Sequence, residues 1–217
     1  MKSQINHRVL TEATFNEALY ELTVRDSDLA DFVSRWGNPP FWTHPPGFSG
    51  IAIAIISQQV SLESAQATFT KLEKRIGSIN PHNFLSLDGR DLKDVGFSRQ
   101  KASYVRGVAV DITRGKFNLK EIGSMDDDSA RKRLMKVRGI GPWTADTYLL
   151  FALRRSDAWP TGDLALAKAI QELRGFENIP DVDEVDIIAD QWRPWRGVAA
   201  RILWHHYLSE RGRSTSV

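Results

Sequence analysis

The chain contains no cysteine among its 217 residues. Disulfide bonds and thiol catalysis are therefore excluded. It also lacks a strong excess of charge of one sign, because 29 Lys and Arg residues are balanced by 27 Asp and Glu residues and leave a formal net charge of +2. That balance is too mild to indicate a nucleic-acid partner by itself, so any such indication must come from a local cluster of charge.

Long apolar runs are missing as well, since none approaches the ~18 residues needed to span a membrane. The N-terminus is polar and has no apolar core of the kind that a secretory signal needs. We therefore expect no membrane partner and a location inside the cell, either cytoplasmic and nucleoid-associated or nuclear, and not secreted.

Helical periodicity runs along most of the chain, and no stretch shows the alternation of a β-strand. In residues 62–76, for example, apolar side chains recur at helical spacing, and Ser61 is a suitable N-cap. An all-α fold is predicted, with helices at about 14–23, 26–36, 49–58, 62–76, 99–114, 127–137, 142–153, 164–174, 184–191 and 197–209.

The most informative segment runs from Leu134 to Ala145 and reads Leu-Met-Lys-Val-Arg-Gly-Ile-Gly-Pro-Trp-Thr-Ala. Gly139 and Gly141 permit a tight turn and close backbone approach, and Pro142 suits the first position of a new helix. The amides and dipole at that helix start would favour an anion. The preceding stretch adds five cations, namely Arg131, Lys132, Arg133, Lys136 and Arg138. The segment thus predicts a site for a polyphosphate such as DNA, the alternative being an ordinary helical hairpin with a solvated basic face.

A second segment, Trp159-Pro-Thr-Gly-Asp163, places a lone carboxylate ahead of a strong helix former. Asp is a favoured N-cap, and the helix dipole stabilises its ionised form. Glycosidic cleavage passes through an oxocarbenium-like state, which a fixed anion stabilises when water is excluded. The capping and catalytic interpretations of Asp163 are therefore compatible.

Together these segments resemble the helix–hairpin–helix DNA glycosylases, and within them the alkylated-base branch, 3-methyladenine DNA glycosylase II. The resemblance extends from about Gly50 to Tyr207 and is shared by three further segments, which are Ile56–Ser61, Gly96–Ala109 and Trp192–Arg196. It implies a single glycosylase unit built of two helical lobes with the helix–hairpin–helix motif at a DNA-facing cleft. Residues of about 50–155, with the hairpin at 134–145, would form one lobe, residues 1–49 with 156–208 the other, and residues 209–217 a flexible tail.

The resemblance also implies roles for single residues. Asp163 aligns with the catalytic aspartate of the family. Trp143 stands where bifunctional relatives carry the lysine that attacks the sugar, so no Schiff base is expected at that position and water would be the nucleophile. In the family the matching aromatic lines the base pocket. Further candidate walls of that pocket are Phe41, Trp42 and Trp195.

Gln58 and Gln59 form a polar pair at a helix end between apolar residues. Such a pair suits a surface that meets DNA, because it is costly to bury without partners. By resemblance Gln59 takes the position that fills the gap left by a flipped base, although the sequence does not decide between the two glutamines. The alternative is a helix-terminal pair bound to backbone carbonyls. The other predicted DNA contacts are Ser61, Lys101, Arg138, Gly139, Ile140, Gly141, Thr144 and Lys168.

No cofactor and no catalytic metal are expected, although the backbone carbonyls of Met135, Val137 and Ile140 could hold a monovalent cation, as they do in the family. We expect a monomeric, monofunctional DNA glycosylase of base excision repair that acts on alkylated purines (3-methyladenine, 7-methylguanine) in duplex DNA and has no AP-lyase activity. Two alternatives stay open, a non-catalytic helix–hairpin–helix DNA-binding module and a glycosylase for other damaged bases such as hypoxanthine or ethenoadenine.

Overall fold

The computed structural model describes residues 9–213, and these residues form α-helices joined by short turns. No β-strand occurs among them beyond an isolated bridge between Val9 and Arg155, so the all-α prediction is confirmed. The described chain divides into two compact units. We call residues 44–153 the central unit, and residues 9–43 with 154–213 the terminal unit.

The terminal unit contains five α-helices within the described residues and a short 3-10 turn at Asp190–Trp192. Its helices are α1 (Glu12–Arg25), α2 (Ser27–Trp36), α11 (Leu164–Arg174), α12 (Val182–Ala189) and α13 (Arg196–Glu210). The central unit contains α3 (Phe48–Ile56), α4 (Leu62–Ile76), α5 (Pro81–Leu85), α6 (Gly89–Asp94), α7 (Arg99–Thr113), α8 (Leu119–Ser124), α9 (Asp127–Met135) and α10 (Pro142–Thr147), followed by a π-helical segment at Tyr148–Ala152.

The central unit is built around α3, whose side chains are buried on nearly every side from Gly50 to Ile56. The neighbouring helices begin at side-chain caps, because Ser61 accepts the Ser64 amide at the start of α4 and Ser98 accepts the Lys101 amide at the start of α7. The predicted cap at Ser61 is therefore confirmed.

Two features of the central unit differ from the sequence prediction. The short helices α5, α6 and α8 were not predicted, because five or six residues show too little apolar periodicity to stand out. The predicted helix 142–153 changes character after Thr147, where the amide of Leu153 donates to the carbonyl of Tyr148, five residues earlier, at 3.1 Å. This wider turn places most of the Tyr148–Ala152 segment in the core.

A polar cluster around Asp26 ties together the ends of the terminal unit. Asp26 caps α2 through the amides of Asp28 and Leu29, and its other oxygen accepts the Trp192 indole N–H at 2.8 Å and the Arg174 guanidinium at 2.9 Å. One carboxylate thus joins α2 to α11 and to the turn before α13, although these elements lie far apart in the sequence.

The last helix runs to Glu210, so Ser209 and Glu210 of the expected tail are helical, and residues 214–217 of that tail lie outside the described residues. No helix within residues 9–213 has the length and apolar character that crossing a membrane requires.

Candidate functional site

The predicted hairpin lies between α9 and α10, with Gly139 at its centre. Gly139 has φ +90°, and a Cβ added there would overlap the ring of Tyr104 on α7. Gly141 has an ordinary φ of −86°, and a Cβ there would meet no atom of the described chain within 4 Å. The two glycines therefore differ in how much they tolerate a side chain. At Gly139 both the positive φ and the nearby Tyr104 ring disfavour one, whereas at Gly141 there is space for one.

The start of α10 has the form of an anion site. Its first residue is Pro142, as predicted. Gly141 is its N-cap, and no side chain of the described residues caps it. A helix start without a side-chain cap is a common place for an anion to bind. The Ile140 side chain is only 4% exposed, so this residue holds the hairpin against the core rather than facing outward.

The five cations of the hairpin segment separate into two groups. Arg131 pairs with the buried carboxylate of Asp146 at 2.9 Å, and Arg133 lies over the Phe117 ring and donates to the Lys116 carbonyl. These two arginines therefore form contacts within the central unit and are less available to bind DNA. The three that are exposed beside the hairpin are Lys132, Lys136 and Arg138.

The glutamine pair lies in the turn between α3 and α4, and its two members differ in structure. The Gln58 side-chain amide donates to the Gly139 carbonyl at 2.8 Å and to the Thr144 hydroxyl at 2.9 Å. Gln59 is exposed and has φ +54°, which is uncommon for a residue other than glycine. The interpretation of a glutamine bound to a backbone carbonyl therefore holds for Gln58.

Two predicted DNA contacts are engaged inside the central unit. The Lys101 ammonium group donates to the Ile56 carbonyl at 2.7 Å, and burial lowers the pKa of Lys101. Thr144 is 3% exposed and its hydroxyl accepts from Gln58. The Lys101 ammonium group therefore binds a carbonyl at the C-terminus of α3 rather than projecting toward a phosphate. The Thr144 hydroxyl helps to hold Gln58 in the turn between α3 and α4.

One of the three carbonyls proposed to bind a monovalent cation accepts a hydrogen bond within the hairpin. The Val137 carbonyl accepts the Ile140 amide at 3.1 Å within the hairpin. The monovalent cation stays a prediction. Among residues 9–213 no group of three His, Asp or Glu side chains is arranged to hold a metal ion.

Asp163 lies at the N-terminus of α11 in the terminal unit, and its predicted role as N-cap is confirmed. One carboxylate oxygen, Oδ1, accepts the Leu166 amide at 2.9 Å and the Trp204 indole N–H at 3.3 Å. The exposed Gly162 precedes it with φ +80°. The carboxylate is half-buried, and two elements, α11 and α13, fix its orientation.

Asp186 on α12 anchors the segment that leads to Asp163. Its carboxylate accepts the Trp159 indole N–H at 3.0 Å and the Thr161 hydroxyl at 3.3 Å. Sequence reasoning missed both Asp186 and Trp204, because neither belongs to a recognisable motif and both lie more than 20 residues from Asp163.

Phe41 and Trp42 are held by a buried arginine. Arg201 of α13 is 0% exposed, donates to the carbonyls of Gly197 and Trp42, and places its guanidinium carbon 5.5 Å from the Phe41 ring centre. Burial lowers the pKa of Arg201 to about 9. The Trp42 ring meets His205 edge-on at 6.4 Å. Both candidate pocket walls remain half-buried, so each has one face packed and some surface accessible.

The remaining candidates differ in exposure. Trp143 in α10 and Lys168 in α11 are half-buried. Trp195 is 7% exposed and packs in the hydrophobic cluster of the terminal unit at the start of α13. Little of its ring is open to a ligand, so its observed role is packing, in contrast to the predicted pocket wall.

Comparison with known proteins identifies the family. The family described as "HhH-GPD superfamily base excision DNA repair protein" matches residues 52–194. That match includes the glutamine turn, the hairpin and Asp163 and spans well over half of the chain. The chain therefore belongs to this superfamily, and the resemblance inferred from the sequence is confirmed.

Individual relatives carry related names. A DNA-3-methyladenine glycosylase of Bacillus subtilis is 28% identical over 172 residues, which cover 74% of this chain and 57% of that protein. The alkylbase DNA glycosidase-like protein mag2 of Schizosaccharomyces pombe is 26% identical over 200 residues, covering 89% and 94%. This chain spans a little over half the length of the Bacillus subtilis relatives that it matches.

Solved structures share the fold. The 3-methyladenine DNA glycosylase Mag1 of Schizosaccharomyces pombe, in complex with abasic DNA, matches with a TM-score of 0.79 and 25% identity over 87% of this chain and 95% of that one. An 8-oxoguanine glycosylase/lyase of Clostridium acetobutylicum matches with a TM-score of 0.77 and 20% identity over 91% and 71%. The second likeness shows the fold alone.

The two hairpin glycines yield a testable contrast. Gly139→Ala should destabilise the protein by about 2–4 kcal/mol, because a strained backbone and an overpacked contact each cost ~1–3 kcal/mol. Gly141→Ala should change stability by less than about 0.5 kcal/mol, since neither cost arises there. Urea unfolding of the two variants checks this expectation. Equal stabilities would contradict the assigned contact between Gly139 and Tyr104.

Proposed function

We propose that this protein is a monofunctional DNA glycosylase that hydrolyses the N-glycosidic bond of alkylated purines, such as 3-methyladenine and 7-methylguanine, in duplex DNA. The observation that carries the proposal is the carboxylate of Asp163, which two hydrogen bonds fix at the start of α11. Membership of a base excision repair superfamily supports the same activity. Duplex DNA is the proposed partner, and the protein would act as a monomer.

Asp163 would act on the reaction by electrostatics and by orienting water. As the bond between C1′ and the base breaks, its electron pair leaves with the base, and positive charge develops on the sugar. A carboxylate already fixed in place stabilises that charge without reorganisation. The oxygen of a water molecule then bonds to C1′, and the carboxylate accepts its proton or directs the proton to solvent.

Trp143 supports the monofunctional part of the proposal. A lyase reaction needs an amine that attacks the sugar and forms a Schiff base, and an indole cannot do so. The expected product is therefore an intact strand that carries an abasic site. A glycosylase/lyase shares this fold, so the distinction depends on this residue rather than on architecture.

DNA binding would fall to the central unit. The uncapped start of α10 and the exposed cations Lys132, Lys136 and Arg138 would bind backbone phosphates. The exposed Gln59 would enter the space that a flipped nucleotide leaves in the duplex. A non-catalytic DNA-binding module would need only these features, so the chemistry at Asp163 is what separates it from the proposal.

Replacement of Asp163 tests that chemistry. Asp163→Asn keeps the shape and the cap but removes the charge, so excision of 7-methylguanine should fall ~10²–10³-fold, as for the loss of a fixed electrostatic stabiliser. Binding to DNA should survive. Asp181→Asn, at another aspartate N-cap of the terminal unit, is the matched control and should excise normally. Excision by Asp163→Asn within threefold of the parent rate would remove Asp163 from the mechanism.

Borohydride trapping tests the absence of lyase chemistry. The abasic product should stay unbroken until treated with alkali or heat, and reduction during turnover should leave no covalent protein–DNA complex, because Trp143 offers no amine. A bifunctional glycosylase run in parallel shows that trapping works. A trapped complex that disappears in Lys168→Ala would mean that this lysine reaches the sugar.

Selectivity between lesions tests whether Trp143 contacts the excised base. Alkylation at N3 or N7 gives a purine positive charge, which makes it a good leaving group and draws it to aromatic faces by ~0.5–2 kcal/mol. Single-turnover excision of 7-methylguanine should therefore be much faster than that of neutral hypoxanthine, and Trp143→Ala should shrink the difference. Tyr20→Ala, which removes an exposed aromatic on α1, is the control. Faster release of hypoxanthine would indicate hydrogen-bond recognition instead.

A further inference from the structure

Three contacts connect the glutamine turn (residues 57–61), the hairpin and α7 in the central unit. Lys101 of α7 binds the Ile56 carbonyl directly before the turn, and one helical turn later Tyr104 packs against Gly139 of the hairpin. Gln58 completes the connection by donating from the glutamine turn to Gly139. The hairpin therefore contacts both α7 and the glutamine turn, and α7 contacts the end of α3 from which that turn continues.

We propose that Gln58 is a positioning residue that fixes the glutamine turn against the hairpin, while Gln59 alone enters the duplex. The inference rests on the proposed function, because it assigns Gln59 a role in DNA. Of these two adjacent glutamines, Gln58 would contact the protein and Gln59 would contact DNA.

The hydrogen bonds of Gln58 support this division. Its side-chain nitrogen uses both N–H groups, on the Gly139 carbonyl and on the Thr144 hydroxyl. The carbonyl can only accept, so the nitrogen of the amide must face it and the orientation of the side chain is determined. Moving Gln58 into a duplex would abandon these two acceptors, and the Thr144 hydroxyl lies in a nearly buried residue.

The backbone of Gln59 supports the other half of the division. A φ of +54° is unfavourable for a residue with a side chain, so the surrounding contacts must maintain it. Lys101 holds the chain before the turn, Gln58 holds its centre, and the Ser61 cap holds its end. Gln59 is thus presented to solvent from a turn whose neighbours on both sides are fixed.

Such an arrangement would keep the residue that enters DNA at a set distance from the hairpin that binds the phosphates. Less conformational freedom is then lost on binding, which raises affinity without adding a contact to DNA. Loss of the Gln58 contacts should therefore loosen the free protein as well as weaken its complex, whereas loss of the Gln59 side chain should affect the complex alone.

Hydrogen exchange of the free protein tests the positioning role without DNA or catalysis. Gln58→Met should speed exchange of the Ile140 amide about tenfold while amides of α4 keep their parent rates. Gln59→Ala should leave the Ile140 amide unchanged. Gln66→Met, at an exposed glutamine on α4, is the matched control and should also have no effect. Unchanged exchange at Ile140 in Gln58→Met would overturn the proposal.

Binding to a duplex with an abasic site tests the consequence. Gln58→Met should weaken binding about tenfold, and adding Thr144→Val should weaken it little further, since both remove the same contact. Gln58→Leu, which removes the donor without adding charge, should behave like Gln58→Met and serves if the latter fails to fold. Full additivity of the two substitutions would contradict the contact.

The fluorescence of 2-aminopurine placed beside the lesion reports nucleotide flipping. Gln59→Ala should slow flipping, whereas the affinity of this variant for undamaged duplex should stay within twofold of the parent value. Normal flipping by Gln59→Ala would contradict its assigned role. Failure of the proposed function would appear differently, as a parent protein that excises no base although the exchange results hold.

Discussion

The contact between the Tyr104 ring and the backbone of Gly139 sets the geometry of the central unit. It brings α7 so close to the hairpin that no side chain fits between them, and it requires a backbone conformation that glycine adopts most readily. The direction of the Gly139 carbonyl, and with it the position of Gln58, follows from this contact. α10 begins three residues later, at Pro142, so the placement of its start also follows from this contact.

The terminal unit holds the charged carboxylate of Asp163 in a fixed orientation. Two of the hydrogen bonds to Asp163 come from neutral donors, an amide and an indole. Asp186 fixes the preceding segment in the same way, through an indole and a hydroxyl. The negative charge is therefore oriented by the fold but is not neutralised by these contacts.

Features that depend on neighbouring residues could be predicted from the sequence. The caps at Ser61 and Asp163, the start of α10 at Pro142 and the helical periodicity involve residues within one or two turns of each other. Contacts between distant segments could not, because nothing in the sequence pairs Gln58 with Gly139, 81 positions away, or Trp204 with Asp163, 41 positions away. Charge and aromatic character likewise gave no sign that Arg131 and Arg133 support the protein, or that Trp195 packs in the core.

The left-handed backbone at Gln59 limits what evolution can place there. Residues branched at Cβ, such as Val, Ile and Thr, fit poorly at φ +54°, because their second substituent crowds the backbone. Unbranched side chains meet a smaller barrier, and Asn or Gly meets the least. Natural substitutions at this position should therefore differ in side-chain length and polarity rather than in bulk at Cβ. The backbone conformation thus limits which side chains this turn can present to a duplex.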